Sequence, residues 1–267
     1  MSDDLIRLGL IDEEDILLDD AALTLALLDH PGVDDGPYRD LVAAIAERLD
    51  TLGAETVAPV EQAALLAQVI GGEYGFAGDT DTYDDPANAD LIRVIDRRRG
   101  LPVSLSILYV AVARRIGWTA HVLDVPGHVL VLIGGEAAPV MIDPFRGGRP
   151  VDGEQLAQLV QAMRPGRVAA VSHVAAMPNR AVLVRLLLNQ ATRAEAAGQG
   201  RRALTLYRRM TVMAPGYGHA WWERARLELV DGDVGEARRS LSAMLEITRD
   251  PALRTRVSGV LESLPSE

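Results

Sequence analysis

The chain has 267 residues, 48% of them apolar, enough to bury a core and to form two domains of modest size. It has no cysteine and no lysine, all 27 basic residues being arginine, so disulfides, thiolate metal sites, cysteine nucleophiles and lysine Schiff bases are excluded together. The net charge is −11, and up to Asp50 acids far outnumber Arg7, Arg39 and Arg48; such a face repels phosphate backbones and anionic lipid, so neither nucleic acid nor membrane is an expected partner. No apolar run approaches the roughly 18 residues of a membrane span, and Met1-Ser2-Asp3-Asp4 lacks the basic start of a secretory signal, which predicts a soluble cytoplasmic protein.

In chain order, the dense apolar stretch over residues 16–28 stops at His30-Pro31-Gly32, where proline and glycine end a helix. A second helix is predicted after Pro37, with Leu41, Ile45 and Leu49 on one face, and a third over residues 59–70, closed by Gly71-Gly72. Residues 75–88 read as an ordered loop. Its Asp79, Asp81, Asp84 and Asp85 do not match the twelve-residue calcium loop, so side-chain-to-backbone turn bonding is their expected role and no metal is expected.

Helices are predicted over residues 91–99 and 103–116, the second with Pro102 in its first turn, where a missing N–H needs no partner, and Gly117 just past its end. Residues 119–125, 129–133 and 140–142 are β-branched runs broken by Pro126-Gly127 and Gly134-Gly135, which predicts consecutive antiparallel strands. From Leu183 onward the chain is helical and self-similar. Gly198 and Gly232, Ala203 and Ala237, Tyr207 and Leu241, and Met210 and Met244 are each 34 residues apart, the period of the tetratricopeptide repeat. Two repeats fall short of a self-supporting solenoid, so they are expected to pack on the preceding domain, with a capping helix from Pro251. The predicted division is 1–175, N-terminal helices plus an α+β core, and 176–267, an all-α tail.

Five ordered blocks make the chain recognisable: Gly75-Phe76-Ala77-Gly78, Tyr83-Asp84-Asp85-Pro86-Ala87-Asn88, Arg97-Arg98-Arg99-Gly100-Leu101-Pro102-Val103-Ser104-Leu105-Ser106, Val125-Pro126-Gly127-His128 and Ile142-Asp143-Pro144-Phe145. Together they resemble the bacterial SirB-type family, a branch of the transglutaminase-core, papain-like superfamily that often carries tetratricopeptide repeats. The resemblance covers nearly the whole chain. It implies an α+β fold in which N-terminal helices precede a long helix packed on an antiparallel sheet, with tetratricopeptide-like hairpins behind.

The resemblance also implies a site. Active members of the superfamily open the long helix with a cysteine, whose thiolate is favoured by the helix dipole and by a histidine on the next strand, while an aspartate on the following strand fixes the imidazole tautomer. Here Pro102 stands at the cysteine position, and His128 and Asp143 match the other two. The resemblance places Asn88, Arg99, Gly127 and Phe145 at binding positions. His128 and Asp143 are expected within hydrogen-bond reach, with Pro102 facing them across a cleft.

Ser106 and Ser104, in the first turns of the same helix, are alternative nucleophiles with His128 as base. Ser104 is rotated roughly 200° from Pro102 around the helix, whereas Ser106 is rotated roughly 40° but lies about one turn deeper. Serines in first turns more often satisfy backbone groups. The expectation is therefore a noncatalytic, transglutaminase-like pseudoenzyme that binds a protein or peptide ligand and uses no cofactor. The alternative is a cysteine-free hydrolase or acyltransferase using Ser106 or Ser104 with His128 and Asp143. His30, His121, His173 and His219 lack a matching block and are expected to be structural or exposed.

Overall fold

The computed structural model describes residues 3–53, 55–135, 138–163 and 175–265. These form two compact units, Glu13–Leu186, and Met1–Asp12 together with Leu187–Glu267. The division therefore differs from the expected one at 175/176. It falls inside a continuous helix, and the first helix of the chain, α1 (Asp3–Leu10), belongs with the C-terminal residues.

The larger unit begins with α2 (Leu18–Leu27), α3 (Gly36–Gly53) and α4 (Pro59–Leu66), the three helices that the apolar spacing indicates. The chain does not stop at Gly71-Gly72. It continues from α4 into a π-helical segment, Ala67–Glu73, within which a side chain on Gly71 would lie 2.9 Å from the Gly147 carbonyl oxygen, an approach that only glycine permits.

Two short segments, β1 (Ala77–Gly78) and β2 (Arg99–Gly100), pair in parallel and strap the 75–88 loop down. Between them lies α5 (Leu91–Arg97), N-capped by Asp90, whose carboxylate accepts the Arg93 N–H. The helix ends earlier than the expected residue 99, because Arg98 adopts the left-handed conformation at φ 56°.

Next comes α6 (Pro102–Arg115), in which every residue from Pro102 to Ala113 is buried. A helix apolar on all sides needs partners on all sides. Here α2, α3 and α5 pack against it, as do the strands β3 (Ala120–Val125) and β4 (His128–Ile133). The sheet continues through β5 (Val140–Asp143) and β6 (Arg149–Val151), antiparallel throughout in the order β3-β4-β5-β6. The three-residue β6 was not among the expected strands; its Pro150 is tolerated because β6 is an edge strand. Two helices follow, α7 (Gly153–Met163) and α8 (Asn179–Ala196).

In the smaller unit, α9 (Gly200–Met213), α10 (Gly218–Val230), α11 (Val234–Ile247) and α12 (Pro251–Ser263) form successive hairpins. Positions 34 apart are structurally equivalent. Gly198 and Gly232 have φ of 72° and 81°, and Ala203, Ala237, Tyr207, Leu241, Met210 and Met244 are all buried. Helix α1 packs on α9 at Gly9, where a side chain would meet the Val212 carbonyl oxygen at 2.6 Å. Among the described residues, no helix is long and apolar enough to cross a membrane.

Candidate functional site at the His128–Asp143 pair

The β3–β4 turn at Pro126-Gly127, with Gly127 at φ 75°, delivers His128 as the first residue of β4. The register that pairs Val131 with Ile142 then brings the end of β5 alongside the start of β4. His128 Nε2 and Asp143 Oδ2 lie 2.9 Å apart. The carboxylate is otherwise engaged, Oδ1 accepting the Phe145 N–H at 3.0 Å while Arg146 Nε stands 3.6 Å from Oδ2. Asp143 is sealed at 1% side-chain exposure, whereas the imidazole retains 15%, so the pair meets solvent only through histidine. With the carboxylate accepting from Nε2–H, the neutral ring keeps its lone pair on Nδ1, the geometry a base needs. The Arg185 guanidinium clamps the hairpin from behind, bonding Asp124 and donating to the His128 carbonyl oxygen at 3.3 Å.

Aromatic groups border the imidazole. The Phe145 ring stands edge-on to His128 at 6.4 Å and to Tyr83 at 5.7 Å, and Tyr83 is 41% exposed at the rim. Gly78 lies directly beneath Phe145, since a side chain there would come within 2.5 Å of its ring. Sequence reasoning did not single out the Tyr83 ring, although it lies in one of the recognised blocks.

Pro102 occupies the first position of α6 and is buried. Ser104 is fully buried, with its hydroxyl 2.7 Å from the Asn88 carbonyl oxygen and 3.0 Å from that of Leu101. Ser106 is also fully buried, and its Oγ has no hydrogen-bond partner among the described residues. One turn on, the Tyr109 hydroxyl is likewise unpartnered; burial raises its pKa and the nearby Asp143 carboxylate adds to the shift. No hydrogen bond links either serine to the imidazole.

The four expected binding positions separate. Asn88, expected to contact ligand, is instead fully buried: its Nδ2 donates to the carbonyl oxygens of Thr82 (2.7 Å) and Tyr83 (3.4 Å), and its Oδ1 accepts from Arg97 at 3.1 Å. A buried amide with these bonds is a strut for the loop. Arg99 is exposed, and its Nη1 donates to the Gly75 and Arg98 carbonyl oxygens. Gly127 shapes the turn, so only Phe145 borders the imidazole directly.

Turn bonding by the loop aspartates is present. Asp79 accepts from the Thr82 N–H (2.8 Å), the Thr82 hydroxyl (2.7 Å) and Arg97 (2.6 Å), and Asp85 accepts from the Ala87 N–H (2.8 Å). The Thr82 bonds, with help from Arg97 and Asn88, hold the Asp79 carboxyl far below the usual carboxylate range.

The remaining histidines have other roles. His30 lies 2.6 Å from Asp90, a pairing the sequence did not reveal because 60 residues separate the two. His121 is half-buried beside Arg114, and burial, then the guanidinium, lowers its pKa. His219 stands edge-on to Tyr217 at 6.0 Å. His173 lies outside the described residues.

A long buried helix, an antiparallel sheet and a histidine–aspartate pair across adjacent strands make up the core, and the family model of the transglutaminase-like superfamily matches residues 37–188. The chain belongs to that superfamily. Over 265 residues it is 31% identical to a UPF0162 protein of Xylella fastidiosa (strain 9a5c), covering 97% of this chain and 94% of the relative. It is 29% identical over 100 residues to F-box only protein 21 of Mus musculus, covering 34% of this chain and 16% of that protein. Among solved structures, menin is similar at a TM-score of 0.43 with 12% identity, covering 97% of this chain and 74% of menin's.

Proposed function

We propose that the chain is a noncatalytic transglutaminase-like protein whose former cleft binds an extended protein or peptide segment. One observation supports this reading: proline opens α6, where the resemblance puts the nucleophile, while the His128–Asp143 pair that would activate a nucleophile lies at 2.9 Å. Proline has no group able to attack a carbonyl, and the chain has no cysteine elsewhere to replace it. Nothing favours the serine alternative: Ser104 is engaged with backbone carbonyls, and Ser106 is sealed in the interior. Tyr83 and Phe145 at the rim supply the rigid apolar contacts that peptide grooves use. Within the superfamily we place the chain with the SirB-type members, and we read its hairpins as a tetratricopeptide-like tail, on the strength of the 34-residue spacing. A cytoplasmic location suits a chain without cysteine.

The test is an amine-incorporation assay and a peptide-hydrolysis assay, run on wild type and His128→Ala side by side. Neither protein should show turnover. Activity that survives purification of the wild type and vanishes in His128→Ala would sink the noncatalytic reading.

A further inference from the structure

The smaller unit contains a cavity of about 630 Å³ bordered by α10, the end of α11 and the start of α12. That volume suits a small organic ligand, for which pockets run roughly 300–1,000 Å³. Its lining has two characters. Tyr217, His219 and Trp222 supply aromatic surface, and Met244, Ile247 and Leu253 supply apolar contact. Arg249 and Arg256 supply cations.

The charges in the lining are committed unevenly. Glu223 is paired with Arg226 at 2.5 Å, and Asp250 accepts the Ala252 and Leu253 amides as the N-cap of α12, so both carboxylates are engaged. Neither guanidinium has a carboxylate or hydrogen-bond partner among the described residues. Arg256 instead sits over the Trp222 ring, 4.5 Å from its centroid, an arrangement that holds the group in place without satisfying its N–H donors. Most arginines of this unit are paired; Arg208 and Arg224, for example, converge on the buried Glu228. Two unpaired guanidiniums beside aromatic walls match a ligand that joins a planar ring to an anionic group.

We infer that this cavity binds a small molecule in which an aromatic ring carries a phosphate or carboxylate. The ring lies against the aromatic wall, and the anion is held by Arg249 and Arg256. The inference stands apart from the proposed function, since every lining residue belongs to the smaller unit.

Isothermal titration of the full chain with four probes tests it: adenosine 5′-monophosphate, indole-3-acetate, adenosine and inorganic phosphate. At least one of the two ring-bearing anions should bind saturably and at least roughly tenfold more tightly than adenosine or phosphate alone, the scale of a charge-assisted hydrogen bond. Arg249→Gln and Arg256→Gln should each weaken that binding roughly tenfold while leaving the thermal melt of the chain in place. Preference for the nucleotide would mark phosphate esters as the ligand class, and preference for indole-3-acetate would mark carboxylates. The inference is overturned if neither anion saturates in the millimolar range, if adenosine binds as tightly as its phosphate and indole-3-acetate does not bind, or if binding is indifferent to both substitutions.

Discussion

At the scale of single residues, the proposed function turns on Pro102 at the start of α6, where the resemblance to active transglutaminase-like proteins would put a cysteine. Pro102→Cys would place the chain's only thiol at the N-terminus of α6, where the helix dipole favours the thiolate and, on the proposed reading, the His128 imidazole does so too. Losing the proline should cost little, since it contributes no hydrogen bond and mainly restricts the unfolded chain, by about 0.4–1 kcal/mol. Because position 102 is buried, the pH profile of iodoacetamide alkylation is a better reporter than its absolute rate. The apparent thiol pKa should fall below the usual value of about 8.5 and return toward it when His128→Ala is added. A profile that ignores His128 would show that the catalytic frame is not preserved. Tyr109 offers a second test at this scale. Its buried hydroxyl has no partner among the described residues, so Tyr109→Phe should leave stability unchanged or raise it by up to about 1 kcal/mol in urea unfolding. A loss would show that the hydroxyl is bonded in solution.

At the scale of elements, the 75–88 loop is held by a network centred on one carboxylate. Asp79 ties Thr82 to Arg97, Arg97 ties α5 to Asn88, and Asn88 receives the Ser104 hydroxyl on its carbonyl oxygen, so the loop is bonded to the first turn of α6. The same loop supplies Gly78 beneath Phe145 and Tyr83 beside it. Because the Asp79 carboxyl is depressed in the fold, its contribution to stability is fully present above the unfolded carboxylate value of about 3.9, and is lost as pH falls through the folded value. Asp79→Asn should therefore be markedly less stable than wild type at pH 7, with the gap closing as pH drops below about 4. Urea midpoints measured at several pH values check this, and a gap independent of pH would contradict the assigned bonds. Gly78→Ala would drive a methyl into the Phe145 ring and should cost about 1–3 kcal/mol by the same measurement.

At the scale of the whole molecule, each unit has its own organising group. The larger one is built around α6, apolar on every face and covered on every face. The smaller one buries a carboxylate: Glu228 is fully inaccessible and accepts from Arg208, Arg224 and Ser240. Removing one member of a buried ionic cluster strands the others, at a typical cost of about 3–5 kcal/mol. The Arg208 and Arg224 side chains keep some access to water, so Glu228→Ala should fall near the lower end, about 3 kcal/mol, read from thermal or urea unfolding. An effect under about 0.5 kcal/mol, the range of an ordinary surface substitution, would contradict the burial of this cluster.

The sequence by itself determined the elements whose signals are local: the apolar spacing of α2 to α4, Pro102 and Gly117 at the ends of α6, the β-branched runs of β3 to β5, and the 34-residue echo in the last helices. It also made plain that no cysteine nucleophile is present, because the absence of cysteine needs no structure to read. The tertiary structure decided what depends on groups far apart in the chain. Asn88 became a strut because Arg97 and Ser104 reach it, Ser106 became inaccessible because α6 is enclosed, and β6 formed because an edge strand needs only one neighbour. His30 found Asp90 and α1 found α9 by the same route. Local propensity fixes where a helix or strand begins and ends, whereas burial and hydrogen-bond partners belong to the packed whole, and no single-residue pattern carries them.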